Sequence, residues 1–167
     1  KRPAVLDFRK QWNLQPVSPV TGEETGDRSS EYVEVENTRK AAPETVGGDA
    51  TVSSFNVLNY FSDLGVDEAG CKGYPDRTGA FVTAKKCKVR GAFSREAFAN
   101  QEAKIVVAIN ALGADVVALE EIENPVAGGV GTDRDASLAR LVEALNKDAG
   151  AGTWAYVPSP PSVPQGE

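Results

Sequence analysis

Two strand-like runs on either side of a helix-periodic segment constrain the fold of this chain more than any other feature. Thr51–Tyr60, TVSSFNVLNY, is rich in β-branched and aromatic residues, and Asp115–Ile122, DVVALEEI, has an apolar first half. Between them Ser94 can cap a helix running to about Leu112, with Phe98, Ile105, Ile109 and Leu112 on one face and Gly113 as the stop. Asp133 or Asp135 can cap a second helix that turns Leu138, Leu141, Val142 and Leu145 inward and ends at Gly150. TWAYV (Thr153–Val157) then starts a third strand before the chain runs into PSPPSVPQGE. A β-loop-α-β-α-β order favours a sheet with crossover helices, an α/β fold. Three short strands and two helices make a thin core, and the third strand needs a partner beyond the C-terminus. The expectation is a chain that stops inside a domain.

Residues 1–50 differ in character. AVLDFRKQWNLQP reads as the end of a β-structure, the turn-rich SPVTGEETGDRSS follows, and EYVEVEN alternates like an exposed strand. TRKAAPETVGGD, with Pro43 and Gly47-Gly48, is linker-like. The expected division is therefore 1–50 as the tail of a preceding β-module plus a connector, and 51–167 as the α/β region. The loop 62–93 is far longer than ordinary connections, and such loops are commonly functional or stapled.

The 167 residues suffice for one domain with a core, and no apolar run approaches the roughly 18 residues of a membrane span. The chain lacks Met and opens at Lys1-Arg2-Pro3, as a processed piece or a cut from a longer chain would. It also contains no His, which removes the commonest general base, the commonest metal ligand and every Ser/His or Cys/His nucleophile pair. Chemistry here must use carboxylates and amides, or part of it lies elsewhere. Cys71 and Cys87 are compatible with a disulfide or with two free thiols, and without CxxC or His they make a poor zinc site. The net charge is −6, yet the segment Cys71–Arg95 alone carries +6, leaving −12 on the remainder. This basic stretch is either a polyanion contact or a solvated loop.

Two features point to chemistry. The strand Val116–Leu119 ends in Glu120, Glu121 and Glu123, where α/β proteins bind ligands at the carboxyl ends of parallel strands. Strand alternation puts Glu121 and Glu123 on the face of Leu119, with Glu120 on the other. Asn56 interrupts the apolar Phe55–Leu58, as a backbone staple at an irregularity or as a residue facing a site. If the two strands are parallel neighbours, the amide and the carboxylates converge at one sheet edge.

VGGDATVSSFNVLNYF, the paired cysteines in a basic loop, EAKIVVAINALGADVVALEEIEN and LARLVEALN together resemble the secreted bacterial nucleases of the endonuclease/exonuclease/phosphatase superfamily, over about residues 40–157. Residues 1–38 resemble, more weakly, the end of the β-rich module that precedes such domains. The resemblance implies the N-terminal half of a two-sheet α/β sandwich, truncated here, in a secreted or cell-surface protein. It implies that Asn56 positions the scissile phosphate and metal-bound water, and that Glu121 binds a divalent cation, Mg²⁺ or alternatively Mn²⁺ or Ca²⁺. Glu120 stands where the family varies, and no role is carried to Glu123 or Asn124. A Cys71–Cys87 disulfide is implied, and Lys85, Lys86, Lys88 and Arg90 become candidates for phosphate contacts with DNA, or alternatively RNA. The family's His base with its orienting Asp, and its Asp-X-Asn pair, have no counterpart here, so the fragment alone is expected to be inactive. Other readings are a phosphomonoesterase or lipid phosphodiesterase of the same superfamily, or a non-catalytic binding module.

Overall fold

The structure, a computed structural model, describes residues 4–17, 40, 44, 46–160 and 162. The expected strand EYVEVEN (31–37) lies outside these. The chain divides into two units, residues 1–41 and 42–167. In the first, β1 (Ala4–Phe8) and β2 (Trp12–Pro16) form an antiparallel hairpin in which Phe8 pairs with Trp12. Their ring centroids are 5.2 Å apart, a cross-strand aromatic contact, and Lys10 takes a left-handed φ of 65° in the connecting turn. The β character expected for this stretch is present.

The second unit is built on a parallel pair, β3 (Val52–Tyr60) and β6 (Val116–Ile122), as the α/β pattern requires. The intervening segment contains a 3₁₀ turn (Gly65–Asp67), an antiparallel hairpin of β4 (Lys72–Pro75) and β5 (Phe81–Lys85), and the crossover helix α1 (Arg95–Leu112). After β6 come the single-turn α2 (Pro125–Gly128) and then α3 (Ala136–Ala149). Among the described residues the two units together hold three two-stranded sheets and three helices, a mixed α/β composition.

Ser94 caps α1 as expected, its hydroxyl accepting the Ala97 N–H at 3.2 Å, and Gly113 closes it at φ 60°. Phe98, Ile105, Val106 and Ile109 of α1 and Leu141 and Leu145 of α3 pack with Val57 and Tyr60 into the main core. Burying each such aliphatic chain contributes about 1.5–3 kcal/mol. Tyr60, fully buried, donates its hydroxyl to the Glu102 carboxylate of α1, which also accepts Arg140 Nε of α3 at 3.0 Å. One carboxylate thereby ties β3, α1 and α3 together. Burial, reinforced by Glu102, pushes the Tyr60 phenol well above its ordinary pKa, so it stays a neutral donor.

The long loop is more ordered than its composition suggests. Phe81 sits directly over Gly73, where a Cβ would come within 2.4 Å of it. The Asp76 carboxylate closes the hairpin turn, accepting both the N–H and the hydroxyl of Thr78 at 2.7 Å. Cys71 and Cys87 are joined by a disulfide, packed against a small cluster of Phe61, Ala84 and Val89. Glu68 reinforces the staple by accepting the N–H groups of Lys88 and Val89.

Two expectations are corrected. Thr153–Val157 forms no strand. Asn146 takes the groups a ladder would use: its Oδ1 accepts the Trp154 N–H at 2.8 Å and its Nδ2 donates to the Trp154 carbonyl at 3.0 Å. Asp135 precedes α3 without capping it through its side chain, because its carboxylate holds the N–H and hydroxyl of Ser159 instead.

Replacing Cys71 and Cys87 by Ser removes a cross-link over a 16-residue separation. The expected loss is about 3 kcal/mol in urea unfolding. A loss below about 1 kcal/mol would show that Glu68 and the hairpin hold the loop unaided.

Candidate functional site

The carboxyl ends of β3 and β6 do not match in length. Register runs regularly from Val52↔Val116 to Asn56↔Glu120 and then jumps to Tyr60↔Ile122. Four steps along β3 thus correspond to two along β6, and the surplus forms a bulge. Leu58 (φ 53°) and Asn59 (φ 52°) adopt the left-handed conformation, and so does Glu121 (φ 62°) on the opposite strand. Such conformations cost of order 1–3 kcal/mol per non-glycine residue and persist only where neighbours impose them. Three of the five non-glycine residues with positive φ among the described residues cluster here.

Side chains hold the bulge from several sides. Asn56 Oδ1 accepts the Leu58 N–H at 2.8 Å, and Glu121 Oε2 accepts the Asn59 N–H at 3.1 Å. From α1, Gln101 Nε2 donates to the carbonyls of Leu58 (2.8 Å) and Val57 (3.3 Å). Asn56 is exposed, and it staples backbone at a strand irregularity. A backbone N–H can pair only with the amide oxygen, which leaves the Nδ2 donors for a ligand. Asn56 and Glu121 do meet at one edge of a parallel pair, through the same bulge.

The left-handed turn at Glu121 also breaks the alternation expected for β6. Ile122, not Glu121, follows Val117 and Leu119 into the core, while Glu121 is exposed. Glu120, on the exposed side, accepts the Ser54 hydroxyl at 2.6 Å. Glu123 is buried, and its Oε2 accepts the Ser137 hydroxyl (2.7 Å) and the N–H groups of Ser62 (2.8 Å) and Asp63 (3.2 Å). It locks the end of β6 to the chain leaving β3 and to the first turn of α3. Burial raises its pKa, and the bonds from Ser137 and the backbone offset only part of that rise. Sequence reasoning left Glu123 without a role, because its partners come from segments 60 residues upstream and 14 downstream.

As a metal ligand, Glu121 offers one exposed carboxylate. Among the described residues no three acidic or thiol groups converge as a ready cage. Mg²⁺ commonly takes only one or two protein carboxylates with water and phosphate, so this donor set fits a partial site of that kind.

The four basic candidates are dispersed. Lys85 lies over the Tyr74 ring at 4.3 Å, Lys86 occupies a left-handed position (φ 58°), and Lys88 has its backbone held by Glu68. Arg90 alone of them shares a cleft with Asn56. This cleft, about 760 Å³, lies between β3, β5 with the segment after it, and α1, and its lining also includes Lys104. Gly91 is at its wall, where a Cβ would come within 2.7 Å of the Asn59 carbonyl and of Phe61. Comparison with protein-family models, curated proteins and solved structures finds no match for this chain.

Glu123→Ala removes the acceptor shared by Ser62, Asp63 and Ser137 and is expected to lose about 2–3 kcal/mol of stability. Because the folded-state pKa is raised, stability carried by the protonated carboxyl is lost as pH rises from the ordinary glutamate value through the folded one. Glu123→Gln, uncharged throughout, is expected to lack that decline in urea titrations run upward from the ordinary glutamate pKa. An equal decline in both proteins would assign the pH dependence to another group.

Proposed function

We propose that this chain carries the N-terminal half of the catalytic domain of a divalent-cation-dependent phosphodiesterase acting on DNA, with part of its metal site. In this reading residues 51–167 are the N-terminal half of a two-sheet α/β sandwich of the endonuclease/exonuclease/phosphatase type. Residues 1–50 end a preceding β-module, and the protein is secreted or displayed at the cell surface. The observation that carries the reading is the strained bulge that brings Asn56 and Glu121 together at the carboxyl end of a parallel pair. Costly backbone of this kind concentrates at functional sites. The Cys71–Cys87 disulfide supports an oxidising compartment, and no helix among the described residues is long and apolar enough to cross a membrane.

Glu121 would hold the cation, Mg²⁺ by preference, and the Nδ2 donors of Asn56 would orient a phosphate oxygen beside it. When bound, the cation stabilises charge developing on the phosphate. The chain contains no His and so contributes no imidazole base. The 167-residue chain is therefore expected to leave plasmid DNA intact by itself.

Mn²⁺ titrated into the chain and followed by water-proton relaxation is expected to bind saturably, and Glu121→Gln to weaken that binding at least about ten-fold, the loss of one charged ligand. Relaxation unaffected by Glu121→Gln would overturn the assignment. Plasmid nicking by the unaided chain would overturn its inactivity, and release of phosphate from sugar or lipid esters in preference to DNA cleavage would favour the sister chemistry.

A further inference from the structure

The cleft beside Asn56 has a composition at odds with the rest of the chain. The net charge is −6, yet among the described residues no Asp or Glu lines this cleft, and Arg90 and Lys104 both do. Neither cation is in an ion pair among the described residues, unlike Arg9, Arg95 and Arg140, which pair with Asp7, Asp67 and Glu102. Arg90 instead lies over the Phe61 ring, 5.6 Å from its centroid. The walls are apolar, with Phe55 from β3, Val82 from β5 and Ile105 from α1. Asn100 lines the same cleft as an exposed amide. About 760 Å³ is the volume of a site for a small organic ligand, within the roughly 300–1,000 Å³ such sites span.

The second edge of β3 is unpaired among the described residues, so an added peptide strand is the obvious competitor. The bulge argues against it. The carbonyls of Val57 and Leu58 already accept from Gln101, and the Leu58 N–H is taken by Asn56. An incoming strand would meet occupied groups over that stretch. A compact anion that needs side-chain donors, not a ladder, fits better.

We infer that this cleft is a nucleotide subsite: it binds a nucleoside monophosphate, the phosphate drawn by Arg90 and Lys104 and the base and sugar seated against Phe55, Val82 and Ile105. The choice of a nucleotide rests on the phosphodiesterase reading above. The site itself needs neither a metal nor Glu121. Arg recognises phosphate through paired donors and Lys as a point charge, so both should contribute and both should be salt-sensitive.

The test is a titration of the full chain with deoxynucleoside monophosphates in EDTA, followed by amide chemical shifts. Binding is expected to saturate and to move resonances of residues 55–58, 82–83, 90–92 and 100–105. Inorganic phosphate and the uncharged nucleoside should each bind at least about ten-fold more weakly, since each lacks one of the two contacts. Arg90→Ala and Lys104→Ala should each weaken binding by about ten-fold while circular dichroism stays unchanged. Lys104→Arg is expected to retain it. Saturable binding that ignores both substitutions, no binding by the folded protein, or tighter binding of an acidic hexapeptide would each overturn the inference. Loss of Mn²⁺ binding at Glu121 with nucleotide binding intact would strike the phosphodiesterase reading and leave the subsite standing. Intact Mn²⁺ binding without nucleotide binding would do the reverse.

Discussion

Beyond Asn56 and Glu120, β3 has more backbone than β6 can pair, and that surplus has to be held. Ladder hydrogen bonds are unavailable to it, so side chains from four directions replace them: Asn56 locally, Glu121 from β6, Gln101 from α1, and Glu123 just past the bulge. Tyr60, the residue at which register resumes, is fixed in the core through Glu102 and Arg140. Crossover helix, second helix and sheet are thereby fastened at the mismatch, where the candidate chemistry also lies.

Periodicity and caps make the frame legible in the sequence. β3, α1, β6 and α3 lie where apolar spacing, Ser94, Gly113 and Gly150 put them, because those signals act within one or two turns of chain. What escapes is set by contacts distant in sequence. The hairpin β4–β5 depends on Phe81 covering Gly73 and on Asp76 closing the turn, a geometry hidden in a stretch rich in Gly and Lys. Trp154 looks like part of a strand by composition, yet its indole donates to Asn110 at 2.8 Å and its backbone is held by Asn146.

The candidate site was half legible. An amide in one strand and carboxylates ending the next suggest convergence, and parallel pairing brings Asn56 and Glu121 to the same edge. The alternation rule failed at Glu121, since it presumes extended backbone and this residue is left-handed. That single dihedral exchanges the fates of two neighbours: Ile122 turns to the core and Glu121 to the surface. Nothing local in EEIEN announces this. Lys104 and Gln101 were equally hidden, since on a helix they read as ordinary solvated positions.

The disulfide bears on how the chain finds its fold. Thr51 and Asp115, which bond across the start of the parallel pair, are 64 residues apart, whereas the cysteines are separated by 16. Closing the smaller ring first shortens the larger search by about a quarter. Loop-closure entropy varies only as the logarithm of length, so the saving is roughly 0.3 kcal/mol. Oxidation therefore does little for the speed with which the two parallel strands meet. Its effect falls on stability, through the hairpin and the segment that follows it, so a reduced chain would assemble its sheet on nearly the same timescale.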